Sequence, residues 1–185
     1  MKRIILIGYM GAGKTTLGKV LARELNLEFI DLDWYIENRF HQSVNQLFAT
    51  RGEEGFRKIE RNMLHEVAEF ENVIISSGGG TPCFFDNMEY MNQQGLTVYL
   101  KASPETLRAH LRMGKQKRPL VAQKNDEELD AFIHESLNKR EPFYNQARLI
   151  FDTGLLDSNT RIQETKHLLV ETIKHSLNTG VQGRL

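Results

Sequence analysis

One cysteine, Cys83, is present among 185 residues, so an internal disulfide framework is excluded and a reducing compartment suits the chain. Net charge is also lacking: 24 basic side chains balance 24 acidic ones. No sequence-wide field can hold nucleic acid or anionic lipid by counterion release, so any bound anion must be held locally. No run approaches the roughly 18 apolar residues of a membrane span. After Met1-Lys2-Arg3 the apolar run is only Ile4 to Ile7 before Gly8, short of the roughly seven to fifteen that a secretory signal needs. A cytoplasmic location is expected. The six histidines are scattered without metal-ligand spacing; His65-Glu66 begins like a zinc-protease motif, but position 69 is Glu rather than His. Internal repeats and low-complexity linkers are missing too, which predicts one domain over 1–177 followed by a flexible tail at 178–185. With 40% apolar and 26% charged residues, the chain is too polar for a membrane protein and too apolar for disorder.

What is present is alternation. Residues 3–7 form a short, β-branched apolar run, the pattern of a strand buried on both faces of a parallel sheet. A helix follows from about Lys14, with Leu17, Val20, Leu21 and Leu25 on its apolar face. Further strands are predicted at 27–32, 72–77, 96–100 and 149–151. Between them the spacing predicts helices at 43–70, opened by a Ser43-x-x-Gln46 capping box, and at 84–94, 103–112 and 126–140, with a last helix at 157–177. Strands alternating with helices imply right-handed crossovers, hence a three-layer α/β/α fold around a five-stranded parallel sheet. The polar segment 113–125, with Gly114, Lys115, Lys117, Arg118 and Pro119 and few apolar anchors, buries little surface and is expected to be a mobile lid.

Gly8-Tyr9-Met10-Gly11-Ala12-Gly13-Lys14-Thr15 has the spacing of a phosphate loop, two glycines five apart followed by Lys and a hydroxyl residue. It sits between an apolar strand and a helix, where backbone N–H groups and the helix dipole converge on an anion. Lys14 would place a point charge on the β and γ phosphates, and the Thr15 hydroxyl can ligate magnesium. Asn138-Lys139-Arg140-Glu141 ends in Glu on a predicted helix, so a guanine-reading motif is not present. The third strand ends Ser76-Ser77-Gly78 without the magnesium-holding carboxylate of motor-type ATPases. Asp31-Leu32-Asp33 supplies two carboxylates instead, at the carboxyl end of the second strand, where ligands bind in doubly wound sheets. Strand alternation would aim both at one face; one would help hold hydrated Mg²⁺ while the other accepts a proton from a substrate hydroxyl. Gly78-Gly79-Gly80 carries a large unfolded-state entropy, which implies close approach of a ligand. Arg57, with Glu60 three residues on, reads by itself as a surface ion pair worth less than ~1 kcal/mol.

Taken together these residues resemble the shikimate kinase family over nearly the full chain. The resemblance rests on Gly8-x-Met10-Gly11-Ala12-Gly13-Lys14-Thr15-Thr16, Asp31-x-Asp33, Gly52-Glu53-x-x-Phe56-Arg57-x-x-Glu60, Gly78-Gly79-Gly80, Arg118-Pro119-Leu120 and Arg140-x-Pro142-x-Tyr144. It implies a monomeric, nucleoside-monophosphate-kinase-like enzyme that uses Mg·ATP to phosphorylate the 3-hydroxyl of shikimate in aromatic amino acid biosynthesis. Asp33 would meet the substrate hydroxyls, Arg57 and Arg140 its carboxylate, and Gly79, flanked by Gly78 and Gly80, would lie at the substrate. Gly11, Ala12, Gly13, Lys14, Thr15, Thr16 and Arg118 would hold the nucleotide, with Thr15 and Asp31 toward the metal; Lys14 and Arg118 would join Asp33 in catalysis. The chain departs from the family after the last strand. Asp152-Thr153 is followed by Gly154-Leu155-Leu156-Asp157, with no Pro and no Arg before Arg161, so Leu155 or Leu156 would pack on the adenine. Two alternatives share the scaffold: a kinase of another polyol acid such as gluconate, and a nucleotide-binding regulator without catalysis. Cys83 is expected to be a small buried hydrophobe.

Overall fold

The computed structural model describes residues 2–113 and 124–179. Five parallel strands, β1 (Arg3–Ile7), β2 (Glu28–Asp31), β3 (Val73–Ser76), β4 (Leu96–Lys101) and β5 (Leu149–Asp152), form one sheet in the order β2-β3-β1-β4-β5. β1 lies at the centre because its sequence allows it nowhere else: Ile4, Ile5, Leu6 and Ile7 are each at most 1% exposed. Burying a side chain of that size contributes about 1.5–3 kcal/mol, so this run anchors the core. Ile5 is in register with Ile75 of β3 on one side and Thr97 of β4 on the other. All carboxyl ends therefore face one edge, and the turns leaving β1 and β3 emerge side by side.

The helices are α1 (Lys14–Leu25), α2 (Leu32–Phe40), α3 (Val44–Ala68), α4 (Asn87–Gln94), α5 (Pro104–Met113), α6 (Asp126–Tyr144) and α7 (Asn159–Thr179). The Ser43–Gln46 capping box forms as the sequence predicts, with Gln46 N–H donating to Ser43 Oγ and Ser43 N–H donating to Gln46 Oε1. Three differences from the sequence reading bear on function. The apolar run predicted as a strand to Leu32 stops at Asp31, which caps α2 by accepting from the Trp34 N–H; Leu32 and Ile36, four apart, form the buried stripe of this extra helix. α3 is broken at Gly52 (φ 68°, ψ 177°), so Arg57 belongs to a helical segment set at its own angle. α6 continues through Pro142 to Tyr144, four residues beyond the predicted end. α7 runs to Thr179; residues 180–185 of the predicted tail, and 114–123 of the predicted lid with Arg118, lie outside the described residues. Among the described residues no helix is long and apolar enough to cross a membrane.

Candidate active site

The phosphate loop takes its shape from glycines that no other residue could replace cheaply. Gly8 (φ 142°), Gly11 (φ 87°) and Gly13 (φ 93°) adopt backbone conformations disfavoured for side-chain-bearing residues. A methyl group on Gly8 would also lie 2.7 Å from the Leu100 carbonyl oxygen. Gly13 is the N-cap of α1 and offers no side chain to its first N–H groups, which leaves the helix terminus suited to an external anion. Lys14 Nζ donates to the carbonyls of Gly8 (2.7 Å) and Tyr9 (3.0 Å), which holds its charge at the loop. Ala12 is buried beneath the loop at 1% exposure, and its N–H donates to the Tyr9 carbonyl.

A cleft of about 460 Å³ opens over this loop and is lined by Gly11, Gly13, Lys14, Thr15, Thr16, Asp31, Asp33 and Gly79, together with His110, Met113 and Leu156. Thr15 Oγ1 donates to Asp31 Oδ2 at 2.8 Å. Asp31 and Asp33 meet in the cleft, but not by strand alternation: Asp31 caps α2 and Asp33 sits in its first turn. Asp33 is open to cleft solvent yet walled by protein. That surrounding desolvation, followed by the neighbouring carboxylates of Asp31 and Glu60, raises its carboxyl to about 6, against the opposing pull of Lys14.

The three consecutive glycines face the side chains of Asp33, Glu60, Arg140 and Arg57. A methyl on Gly78 would lie 3.0 Å from Asp33 Oδ1 and 2.8 Å from Glu60 Oε1; on Gly79, 3.4 Å from Arg140 Nη1; on Gly80, 2.6 Å from Arg57 Nη2. Space, not dihedral freedom, demands glycine at 78 and 80, since none of the three has a positive φ and only Gly79 would keep ordinary contact distances. Arg57 is not the surface residue its isolated pattern suggests. Its side chain is 11% exposed, its Nη1 donates to Glu60 Oε2 at 2.7 Å, and its guanidinium faces the rings of Phe48, Phe56 and Phe84, the last at 4.1 Å. Glu60, itself 1% exposed, accepts from Thr81 Oγ1 at 2.6 Å. Arg57 Nε is buried without a hydrogen-bond partner, an orphaned cationic donor of the kind a bound anion satisfies. Arg140 lies over the Tyr9 ring at 5.4 Å.

Sequence reasoning assigned no role to three elements of this arrangement. Tyr144 donates its hydroxyl to the Gly79 carbonyl; burial pushes its pKa up, so it stays a donor. The aromatic box around Arg57 draws Phe48 and Phe56 from α3 and Phe84 from the turn after β3; only Phe56 has a sequence signal, its place beside Arg57 in the motif. His110 has none. Among the described residues no group of three or more His, Cys, Asp or Glu could hold a metal ion. Cys83 is half-buried rather than buried, and desolvation raises its thiol to about 11.

A phosphate loop beside a cluster of Asp33, Arg57 and Arg140 around three glycines, above one edge of a parallel sheet, defines a small-molecule kinase of the phosphate-loop class. The shikimate kinase family model matches residues 10–173. The chain is 60% identical to a shikimate kinase of Phocaeicola vulgatus, over 96% of this chain and 99% of that protein. It superimposes on the crystal structure of shikimate kinase from Bacteroides thetaiotaomicron with a TM-score of 0.91 at 58% identity, covering 94% of this chain and 98% of the other. Shikimate kinase from Acinetobacter baumannii in complex with shikimate gives 0.81 at 29% identity, with 96% of each chain covered. The chain belongs to the shikimate kinase family.

Proposed function

We propose that the protein transfers the γ-phosphoryl group of ATP to the 3-hydroxyl of shikimate, giving shikimate 3-phosphate and ADP. The observation that carries this reading is the convergence of Asp33, Arg140 and Arg57 on Gly78, Gly79 and Gly80, with Asp33 and Gly79 also lining the cleft over the phosphate loop. The acceptor offers one carboxylate and three hydroxyls. A planar guanidinium grips a carboxylate through two parallel N–H groups, which lysine cannot do, and the orphaned Nε of Arg57 is suited to one of them. Arg140 supplies the second positive charge. Tyr144 and Glu60 act through these groups: one fixes the Gly79 carbonyl, the other the Arg57 guanidinium.

Asp33 orients the attacking hydroxyl and accepts its proton. As the hydroxyl O–H bond breaks, that oxygen bonds to the γ phosphorus, and the bond from phosphorus to the β–γ bridging oxygen breaks to release ADP. A carboxyl raised to about 6 is ionised at neutral pH yet a stronger base than an ordinary aspartate. Phosphoryl transfer has a loose transition state, so positioning and charge neutralisation carry most of the catalysis. Lys14 supplies charge at the phosphates, and Arg118 is assigned the same task from its Arg-Pro-Leu motif. Thr15 and Asp31 offer hard oxygens of the type magnesium takes when it retains several waters and binds substrate phosphates; they would hold it, and it would neutralise phosphate charge. This hydroxyl and carboxylate suit the role because their oxygens already lie 2.8 Å apart.

The test is ADP release coupled to a colour reaction, run with shikimate, gluconate and nucleoside monophosphates in turn. Turnover with shikimate well above the others is expected. Equal or greater turnover with gluconate would reassign the acceptor, and no turnover with any would favour a nucleotide-binding regulator. We also propose a single monomeric domain acting in the cytoplasm; sedimentation at working concentration checks the first.

A further inference from the structure

α5 carries a side chain into the cleft wall that the phosphoryl chemistry above does not use. His110, 9% exposed, has Nδ1 2.7 Å from the Gly11 carbonyl oxygen, while its Nε2 accepts from the Leu156 backbone N–H, also at 2.7 Å. These partners lie 99 and 46 residues away in sequence. One belongs to the phosphate loop, the other to the segment after β5. A backbone N–H can only donate, so Nε2 must be the unprotonated nitrogen and Nδ1 must carry the proton offered to Gly11. One neutral tautomer satisfies both contacts. A second contact joins the same two segments: a methyl on Gly13 would lie 2.4 Å from Leu156 Cδ1, so the leucine side chain covers that glycine.

We propose that His110 is a positioning residue which ties the Leu156 segment to the phosphate loop and thereby sets the wall that a bound nucleotide meets. The inference rests on reading the cleft as the ATP site. The bridge uses the Leu156 N–H, so the segment presents an apolar side chain to the nucleotide and not that donor.

His110→Ala removes both arms. Two hydrogen bonds of ordinary net strength correspond to roughly a tenfold effect or somewhat more. The expected result is a rise of about that size in the KM for ATP and in the Kd for Mg·ADP measured by calorimetry, with the KM for shikimate unchanged. In parallel, long-range proton–nitrogen NMR of the unmutated protein with Mg·ADP should give a neutral Nδ1–H imidazole whose resonances are absent from His110→Gln. An Nε2–H tautomer or a doubly protonated ring near neutral pH would overturn the bridge. So would unchanged nucleotide affinity in His110→Ala, or an equal rise in both KM values, which would mark a residue that serves the fold alone. ADP affinity and tautomer are both read without shikimate, so they stand or fall independently of the acceptor.

Discussion

Gly80→Ala isolates the claim that the triple glycine exists to let side chains approach. Gly80 has φ −90° and ψ −23°, a backbone alanine adopts without strain, so any effect must be steric. The new methyl would lie 2.6 Å from Arg57 Nη2 and 2.9 Å from Nη1, about 0.8 Å inside the 3.4 Å where ordinary contact begins. An arginine terminus usually swings away from such a clash. Arg57 has little room to do so, because Glu60 holds Nη1 and three phenylalanine rings surround the guanidinium. A misplacement near 1 Å at a positioning group can cost on the order of a hundredfold, and a charge-assisted hydrogen bond contributes about 1.5–3 kcal/mol. The KM for shikimate should therefore rise between roughly ten- and hundredfold, while the KM for ATP holds. Gly52→Ala is the matched control. Nothing lies within 4 Å of its new methyl, but its φ is +68°, so it should cost about 1–3 kcal/mol of stability with shikimate KM unchanged. Steady-state kinetics and thermal unfolding of both variants decide the matter. An unaltered shikimate KM in folded Gly80→Ala would refute the argument that Arg57 is held in place for the acid.

Asp33→Asn should leave ATP affinity nearly intact while kcat drops about a hundredfold or more, the order expected for losing a positioned base; normal turnover would eliminate Asp33 from that role. Arg57→Lys should raise the shikimate KM about tenfold or more through loss of the two-pronged contact, and an unchanged KM would remove it from the clamp. In the unliganded enzyme kcat/KM should fall as pH drops through about 6, where Asp33 gains its proton, and a profile flat down to the ordinary aspartate range would contradict the raised value. The sign for stability is opposite. A carboxyl raised in the folded chain is unfavourable as the carboxylate, so stability attributable to Asp33 should increase between pH about 6 and its ordinary 3.8, and Asp33→Asn should flatten that part of the unfolding profile.

The alternation of apolar runs with helical spacing determined the five-stranded parallel sheet, because a strand buried on both faces must be apolar throughout and Ile4 to Ile7 is. The phosphate loop was equally legible. Its chemistry is local, with glycine dihedrals, a lysine and a hydroxyl residue within eight positions. The capping box of α3 is local too, and it formed. The second helix was hidden because Leu32 ends an apolar run and also begins the Leu32–Ile36 helical stripe; only competition between sheet edge and helix, settled when Asp31 capped Trp34, separates the two. That one residue of difference moves Asp33 from the end of a strand to the first turn of a helix. The motifs named Arg57, Arg140 and the three glycines. Tertiary structure alone set the glycines against Asp33, Glu60, Arg140 and Arg57, buried Arg57 among rings from separate elements, and set His110 between loops distant in sequence. Contacts of that kind depend on how strands and helices stack, and stacking joins residues whose separation along the chain carries no periodic signal.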